Sequence, residues 1–307
     1  MRLVVLGAAE SGVGAAILAL QKGYEVFVSD MGSIKPRYQE MLRKHHIAFE
    51  EGKHTEELIL NADEVVKSPG IPDTAPMVAR LIEKGTPILS EIEFAARYTD
   101  ARMIAITGSN GKTTTTSLIY HILKKAGTDV GLAGNIGHSL ALQVAETPHS
   151  TYVIELSSFQ LDNMYRFRAD IAVLLNITPD HLDRYNFEMQ NYVNSKMRIL
   201  QNQGPTDSFI YWMEDNYVPQ ALNERETAVK RCGFTDEPSE GAVAWAQNGE
   251  LVINSPVPFS MPLSQLSLPG KHNLRNSIAA ALATLAAGVD PEAVSYTHLT
   301  LPTILLV

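Results

Sequence analysis

The sequence predicts an α/β protein with two domains. The first is an N-terminal Rossmann-like domain with a parallel sheet, and the second is a central P-loop-type α/β domain with a small antiparallel flank. Strand-like and helix-like segments alternate over residues 1–90, as in a parallel sheet with crossover helices. Further on, an apolar run at Met103–Ile106 leads into a glycine-rich turn and a helix. At 307 residues the chain is long enough for about two domains with proper cores.

The first part of the chain supplies the elements of the Rossmann-like domain. Its predicted strands are LVVLG, EVFVSD, EVVKS and PILS, and its predicted helices are Gly12–Lys22, Arg37–His45 and Met77–Lys84. A connecting helix is predicted over Glu91–Asp100, and the first strand of the second domain follows at about Ala101. We therefore assign residues 1–92 to the first domain and residues 93–294 to the central domain.

The first strand–helix turn, from Gly7 to Gly14, resembles a dinucleotide-binding fingerprint. Its middle glycine is replaced by Ala9, whose side chain would crowd a pyrophosphate. Asp30 ends the second predicted strand, where a ribose-binding carboxylate would lie. The turn serves either packing alone or a nucleotide, and the uridine or ribose part of a nucleotide is favoured over NAD. A Rossmann oxidoreductase would use this turn but would leave the second glycine-rich turn unexplained.

The second glycine-rich turn, TGSNGKTT, predicts a site for the phosphates of a nucleoside triphosphate such as ATP. Gly108 and Gly111 carry no Cβ, so backbone N–H groups can close around phosphate oxygens, while Lys112 adds charge and Thr113 can ligate Mg²⁺. A helix beginning near Thr113 directs its positive end at the same anion. The motif is a shortened variant, because Ile106 stands where the full pattern has glycine. The residues assigned to ATP here are Gly108, Ser109, Asn110, Gly111, Lys112, Thr113 and Thr114.

The remaining elements of the central domain form a sheet with an antiparallel addition. The predicted strands are Arg102–Ile106, Thr151–Glu155, Ile171–Leu175 and Ser208–Trp212. Within 242–254, Asn248-Gly249 separates two alternating runs, which predicts a hairpin with a type I′ turn. We expect this hairpin to flank the parallel sheet.

Polar residues follow the predicted strands, where open α/β sheets place their sites. Glu155 closes a strand beside the phosphate loop and is expected to hold Mg²⁺, directly or through water. His181 lies in the segment NITPDHLDR and is either a structural or surface histidine or a group that contacts metal or phosphate. Asn135, in GLAGNIG, either contacts a ligand or accommodates a left-handed turn.

Lys196 falls on the apolar face of a helix predicted over Glu188–Leu200, four residues after Tyr192. Such a lysine either extends its ammonium group to water or is held inside, where desolvation lowers the pKa of its amine. A neutral amine can react with CO₂ to give a carbamate, an anionic metal ligand. The residues alone favour the water-exposed alternative.

Composition limits the classes of function. The formal charge of −9 argues against nucleic acid as the main partner. The single cysteine, Cys232, excludes an internal disulfide framework and agrees with a reducing cytoplasm. No window is apolar enough to span a membrane, and the N-terminal apolar run fits a first strand better than a secretory signal.

Several segments together resemble the Mur ligases of peptidoglycan synthesis. They are TGSNGKTT, ELSSFQLD, NITPDHLDRY followed by the lysine of NSKMRIL, and LPGKHNLRN. SEIEF and KSPGIP are most similar to members that add D-glutamate to UDP-N-acetylmuramoyl-L-alanine. The resemblance covers Met1 to about Val294. It implies a cytoplasmic, monomeric, ATP-dependent ligase that works through an acyl phosphate, with UDP held by the first domain and ATP by the central one.

The resemblance also implies residue roles and two Mg²⁺ ions. Lys112, His181 and Lys196 are the expected catalytic residues, with Lys196 carbamylated, which reverses the preference for a water-exposed lysine. The expected metal ligands are Thr113, Glu155, His181 and Lys196, the expected substrate contacts are Asp30, Asn135, Ser157 and His181, and the expected adenine contacts are Asn273 and Asn276.

The last predicted segment is a tail at residues 295–307, SYTHLTLPTILLV. It shows no amphipathic helical period and ends in a bare apolar ILLV. We expect it to be foreign to the native gene and to make few buried contacts. The C-terminal domain that the resemblance implies is expected to be absent, which would leave a nucleotide-binding fragment unable to form the amide bond.

Overall fold

The structure, a computed structural model, describes residues 1–266 and 268–299, with the account of residues 296–299 confined to their backbone. Contacts divide the chain into two compact units. Unit 1 comprises Met1–Asp100, Gly137–His149 and Phe159–Phe167, and unit 2 comprises Ala101–Ile136, Ser150–Ser158 and the described residues from Arg168 onward. The predicted domain limits at residues 92 and 294 stay a prediction.

Unit 1 is built on a five-stranded, wholly parallel sheet with the order β3-β2-β1-β4-β5. Its strands are β1 (Arg2–Leu6), β2 (Glu25–Asp30), β3 (Ala48–Glu51), β4 (Glu64–Lys67) and β5 (Ile88–Leu89). Its helices are α1 (Glu10–Gln21), α2 (Pro36–Lys44), α3 (Glu56–Ile59), α4 (Pro76–Glu83), α5 (Glu91–Ala96) and α7 (Leu140–Glu146). In the middle strand, Leu3 to Leu6 are fully buried, as expected for a strand covered on both faces.

Unit 2 contains a nine-stranded sheet with the order β14-β13-β12-β11-β10-β9-β6-β8-β7. Its strands are β6 (Arg102–Thr107), β7 (Val130–Gly134), β8 (Thr151–Glu155), β9 (Ile171–Leu174), β10 (Ser208–Trp212), β11 (Lys230–Phe234), β12 (Ala244–Gln247), β13 (Glu250–Ile253) and β14 (Phe259–Pro262). Its helices are α6 (Lys112–Lys125), α9 (Met189–Met197), α10 (Val218–Asn223), α11 (Lys271–Ala286) and α12 (Pro291–Leu299). Ser158 of α8 (Ser158–Asp162) belongs to unit 2 and the rest of that helix to unit 1. Along the sheet, each neighbouring pair of strands from β7 at one edge through β8, β6, β9, β10 and β11 to β12 is parallel. This architecture confirms the predicted fold class.

The position of β6 determines where a site can form. It lies between β8 and β9, with Ile106 opposite both Glu155 and Val173. The carboxyl ends of these three strands therefore meet at one edge of the sheet, and the segments that follow them are brought together there.

The antiparallel flank forms as predicted. β12 pairs with β13, and β13 pairs with β14, both antiparallel. The turn between β12 and β13 is Asn248-Gly249, with φ of 51° and 81°. Positive φ at both central residues is the requirement of a type I′ turn, which asparagine and glycine meet at low cost.

Four strands were missing from the prediction. β3 and β14 are short edge strands, and β14 ends in a proline. β7 reads VGLAG and β11 reads KRCGF, so glycine and charge weaken their strand pattern. These segments become strands because they pair with neighbouring strands in the sheet. A short stretch of sequence does not contain that information.

The described chain ends in two helices, α11 and α12. Gly288, with φ of 92°, follows α11 in the left-handed conformation expected of a C-terminal cap. The backbone of Ser295 to Leu299 continues α12, and the expectation that the tail makes few buried contacts stays a prediction. The rest of the tail lies outside the described residues, and its foreign origin stays a prediction. Within the described part of the chain, no helix combines the length and apolar character needed to cross a membrane.

Candidate functional site

The glycine-rich turn connects β6 to α6, the strand–turn–helix arrangement that its sequence predicts. Gly108 has φ of 155° and Gly111 has φ of 84°, in the region that favours glycine. A Cβ on Gly111 would lie 2.4 Å from the side-chain oxygen of Asn276. Glycine is therefore required at this position both by backbone conformation and by close approach of a side chain.

Lys112 bends back over this turn. Its Nζ donates hydrogen bonds to the carbonyl oxygens of Gly108 at 2.9 Å and Ser109 at 3.0 Å. The cationic head is thereby held beside the backbone N–H groups at the start of α6. An anion bound in the turn would meet both a positive charge and a helix N-terminus.

Glu155 lies at the end of β8 and is buried, with 1% of its surface exposed. Its carboxylate accepts hydrogen bonds from Thr113 Oγ1 and Asn135 Nδ2, both at 2.9 Å. A Cβ on Gly134 would lie 2.1 Å from the Glu155 carbonyl oxygen, so glycine allows the end of β7 to come this close. Both of these partners are neutral, so a carboxylate buried here would be stabilised by a cation that offsets its charge. The pair of Thr113 and Glu155 thus fits a hard divalent cation.

Lys196 is buried, with 2% of its surface exposed, so the water-exposed alternative is wrong. Its Nζ donates to the carbonyl oxygen of Gly108 at 2.9 Å and lies 4.7 Å from the centre of the Tyr192 ring. The Tyr192 hydroxyl is 3.1 Å from Ser109 Oγ. Lys112 and Lys196 therefore share one acceptor in the phosphate loop, which brings two positive charges close together.

The segment after β9 braces the loop, a role that the prediction missed. Asn176 accepts from the Asn110 backbone N–H and donates from Nδ2 to the Asn110 carbonyl, both at 2.9 Å. Ser109 Oγ donates to the Thr178 carbonyl at 2.9 Å and accepts from the Thr178 N–H at 2.9 Å. Asn176 and Thr178 could have been identified from their place in the sequence, because they follow a predicted strand, β9, that pairs with β6.

His181 is placed differently from the other predicted metal ligands. Its backbone has φ of 49°, and its imidazole is mostly exposed, 3.6 Å from the carboxylate of Asp180. Across the described residues, there is no group of three or more His, Cys, Asp or Glu side chains arranged to hold a metal ion. The described side chains therefore do not by themselves supply all the ligands of a metal ion. This is usual for Mg²⁺ sites, because Mg²⁺ keeps water and substrate oxygens as ligands.

A cavity of about 680 Å³ opens beside the phosphate loop. Its lining includes Asn110, Gly111, Thr114, Asn176, Trp212, His272, Asn273, Arg275 and Asn276. The two predicted adenine contacts, Asn273 and Asn276, thus lie in the same cavity as the loop. Asn273 Nδ2 donates to the Pro269 carbonyl at 2.9 Å.

In unit 1 the glycines of the first turn serve packing. A Cβ on Gly12 would lie 1.9 Å from the Gly7 carbonyl oxygen, and one on Gly14 would lie 2.1 Å from Ser139 Oγ. Asp30 accepts from the Ala8 backbone N–H at 2.7 Å and from the Gly32 N–H at 2.8 Å, so its carboxylate anchors the turn. These contacts favour the packing interpretation of the turn. Substrate contact by Asp30, or by the half-buried Ser157 after β8, stays a prediction.

Three features are typical of the P-loop-type α/β proteins: a mostly parallel sheet, a glycine-rich loop with a lysine–threonine pair after β6, and a buried carboxylate at the end of the neighbouring strand β8. The comparisons with known proteins specify this class further. The family model for the Mur ligase middle domain matches residues 106–284, and the one for the MurD N-terminal domain matches residues 2–77. The chain belongs to the Mur ligase family.

Individual relatives agree with this assignment. The chain is 62% identical to UDP-N-acetylmuramoylalanine–D-glutamate ligase of Bacteroides fragilis over 291 residues, which are 95% of this chain and 66% of the relative. It is 60% identical to the ligase of the same name from Bacteroides thetaiotaomicron, with the same coverage, and 55% identical to that of Porphyromonas gingivalis. The chain thus spans just under two thirds of the length of these relatives.

Solved structures confirm the fold. The crystal structure of UDP-N-acetylmuramate:L-alanyl-gamma-D-glutamyl-meso-diaminopimelate ligase from Neisseria meningitides matches with a TM-score of 0.69 at 19% identity, covering 98% of each chain. UDP-N-acetylmuramate-alanine ligase from Thermotoga maritima matches with a TM-score of 0.58 at 20% identity, covering 97% of this chain and 68% of that one.

Proposed function

We propose that this chain acts in an ATP-dependent ligase that joins D-glutamate to UDP-N-acetylmuramoyl-L-alanine in peptidoglycan synthesis. The observation that carries the proposal is the group at the carboxyl end of β6, where Lys112, Thr113 and Glu155 surround the glycine-rich loop. The high identity to relatives named for this reaction supports the choice of substrates. With these substrates the enzyme would act in the cytoplasm, and we propose that it is a monomer.

The proposed reaction has two steps. An oxygen of the L-alanyl carboxylate attacks the γ-phosphorus of ATP, the bond to the β-phosphate oxygen breaks, and ADP leaves with formation of an acyl phosphate. The amine of D-glutamate then attacks the acyl carbon, loses a proton and expels phosphate through a tetrahedral intermediate. Lys112 and the N-terminus of α6 offset the negative charge gathered between carboxylate and phosphates, so the task of the loop is mainly electrostatic.

Mg²⁺ would be held by Thr113 and Glu155, and the ion would supply charge neutralisation for the phosphate oxygens. The buried Glu155 carboxylate and its neutral partners support this fit. We propose that His181 serves a second ion or the substrate. Asn135, which contacts Glu155, is proposed to contact the muramoyl substrate as well, together with Asp30 and Ser157.

We further propose that Lys196 is carbamylated. Its neutral amine would attack the carbon of CO₂ and lose a proton, which gives a carbamate anion. Support comes from the burial of Lys196 and from the Gly108 carbonyl that it shares with Lys112. Conversion of the Lys196 ammonium group into an anion would replace a repulsion between two neighbouring lysines by an attraction and would add an oxygen ligand for the second Mg²⁺.

The proposed function is tested by phosphate release with purified substrates. In a full-length relative, such as the ligase of Bacteroides fragilis, we expect release that requires ATP, Mg²⁺, UDP-N-acetylmuramoyl-L-alanine and D-glutamate together, with L-glutamate inactive in the same assay. This chain should be measured beside it, and E155Q in the full-length protein should release less phosphate because the proposed Mg²⁺ ligand is lost. Release that is independent of the amino acid, or equal with L-glutamate, would refute the proposed substrate pair.

A further inference from the structure

The cavity beside the phosphate loop has one wall built from two stacked planar groups. Trp212 ends β10, and the guanidinium carbon of Arg275, on α11, lies 3.6 Å from the centre of its indole ring. Both side chains line the cavity that also contains Gly111. We call the pair of Trp212 and Arg275 the planar wall. A flat group standing in this cavity and a phosphate group in the loop can therefore belong to one molecule.

The planar wall is fixed from both sides. Arg275 donates two hydrogen bonds to Asp236, from Nε at 2.7 Å and from an Nη at 2.5 Å. Trp212 Nε1 donates to Glu214 at 3.1 Å, and the same carboxylate oxygen accepts from the Asp236 backbone N–H at 3.0 Å. The rotamers of both planar groups are thus set before a ligand arrives, which lowers the entropic cost of stacking.

The positive charge of the planar wall is balanced by a neighbouring carboxylate. The hydrogen bond from Arg275 lowers the pKa of the Asp236 carboxyl, so that group is ionised at neutral pH, and Lys271 lies 3.0 Å from the same carboxylate. The indole N–H is already used by Glu214. What the wall offers to a ligand is therefore flat surface and a guanidinium plane, which suits a heteroaromatic ring better than a charged group.

We propose that the planar wall is the stacking platform for the nucleobase of the bound nucleoside triphosphate, with Trp212 as a specificity-determining residue. The proposal rests on the proposed function, because it assumes that the loop binds the triphosphate. Stacking on a flat face becomes stronger as the stacked ring area increases, so the wall favours purines over pyrimidines. It does not separate adenine from guanine, a choice left to the amides of Asn273 and Asn276 on the same cavity.

The two tryptophans of the chain allow a direct test. Trp245 lies in β12, bonds Gln247 through its N–H and is absent from the lining of this cavity. In W245F, Trp212 is the single tryptophan, and in W212F it is Trp245. We expect Mg-ATP and Mg-GTP to quench the fluorescence of W245F to saturation, and Mg-UTP to bind more weakly. Inorganic tripolyphosphate, which has no base, should bind without this quenching, and W212F should show none with ATP.

Affinity by calorimetry completes the test. W212L should weaken Mg-ATP binding roughly 5- to 100-fold, the range of base–aromatic stacking, and leave tripolyphosphate binding unchanged. W212F should lose less because it keeps an aromatic face, and it serves if W212L fails to fold. Unchanged ATP affinity in W212F and W212L, or equal affinity for ATP and UTP, would overturn the platform while leaving the proposed function intact. Failure of the unsubstituted chain to bind ATP or tripolyphosphate would instead refute the phosphate site itself.

Discussion

Two glycine-rich turns follow β1 and β6, which are the first strands of the two sheets along the chain, and glycine serves a different purpose in each turn. In the turn after β1, Gly12 and Gly14 make room for a backbone carbonyl and a serine side chain. In the turn after β6, Gly108 and Gly111 adopt positive φ around a loop that holds Lys112 and adjoins buried Glu155. Glycine spacing alone therefore predicts a tight turn, and charge placed around the turn distinguishes a phosphate site.

The largest effect is expected for a substitution of Lys196, which contacts the turn after β6. Made in a full-length relative at the position that matches Lys196, K196A should lower D-glutamate-dependent phosphate release at least about 100-fold, because an anionic metal ligand is lost. Short carboxylates added to the assay should restore part of the rate. K196R is the control, since it keeps the charge but cannot form the carbamate. Full activity of K196R would contradict carbamylation, as would the lack of a bicarbonate-derived carbon on Lys196 in ¹³C NMR.

The next effect concerns stability rather than catalysis. G12A should destabilise unit 1 by about 3 kcal/mol or more, because its Cβ would lie 1.9 Å from a backbone oxygen that cannot move away cheaply. Gly70 supplies the control, since nothing lies within 4 Å of a Cβ built there. In denaturant unfolding, the free energy of unfolding of G70A should therefore be close to that of the unsubstituted chain. Equal stability of G12A and G70A would remove the packing explanation for the first turn.

A binding measurement separates the two turns directly. K112A should weaken Mg-ATP binding by roughly 1.5–3 kcal/mol, the scale of hydrogen bonds to a charged group. D30N, which alters the first turn, should leave ATP affinity unchanged in the same calorimetric titration. If D30N weakened ATP binding as much as K112A, the assignment of ATP to the second turn would be wrong.

The smallest effect tests the buried carboxylate of unit 1. Glu91 accepts hydrogen bonds from Ser139 Oγ at 2.7 Å and the Ala141 N–H at 2.6 Å, yet burial raises its pKa from 4.5 to about 7. Between these two values the folded state binds more protons than the unfolded state, so stability falls as pH rises through this window. The loss from pH 5.5 to pH 8 should be roughly 1–2 kcal/mol.

The variant E91Q isolates this contribution. Because glutamine does not titrate, the difference between E91Q and the unsubstituted chain in denaturant unfolding should change with pH across the same window. E155Q is the matched comparison in unit 2 and is expected to affect Mg-ATP binding. A pH profile of E91Q parallel to that of the unsubstituted chain would show that Glu91 is ionised throughout.

Features that depend on neighbouring residues could be predicted from the sequence. The turn around Gly108 and Gly111 and the hairpin at Asn248-Gly249 follow from backbone conformations that few other residues adopt. The alternation of apolar strands and helices also fixed the fold class, because both faces of a parallel sheet must be covered. The segments that it missed, such as β7 and β11, acquire their conformation from pairing across the sheet.

Which side chains act together depends on the three-dimensional arrangement of the chain. The residues of its helix alone favour an exposed Lys196, whereas the structure buries it and its Nζ contacts the Gly108 carbonyl of the phosphate loop. The partners of Glu155 and the stacking of Trp212 on Arg275 join residues from different strands and helices. Desolvation and close packing act on whatever lies nearby in space, and spatial proximity between distant segments is set by strand order and not by any local pattern.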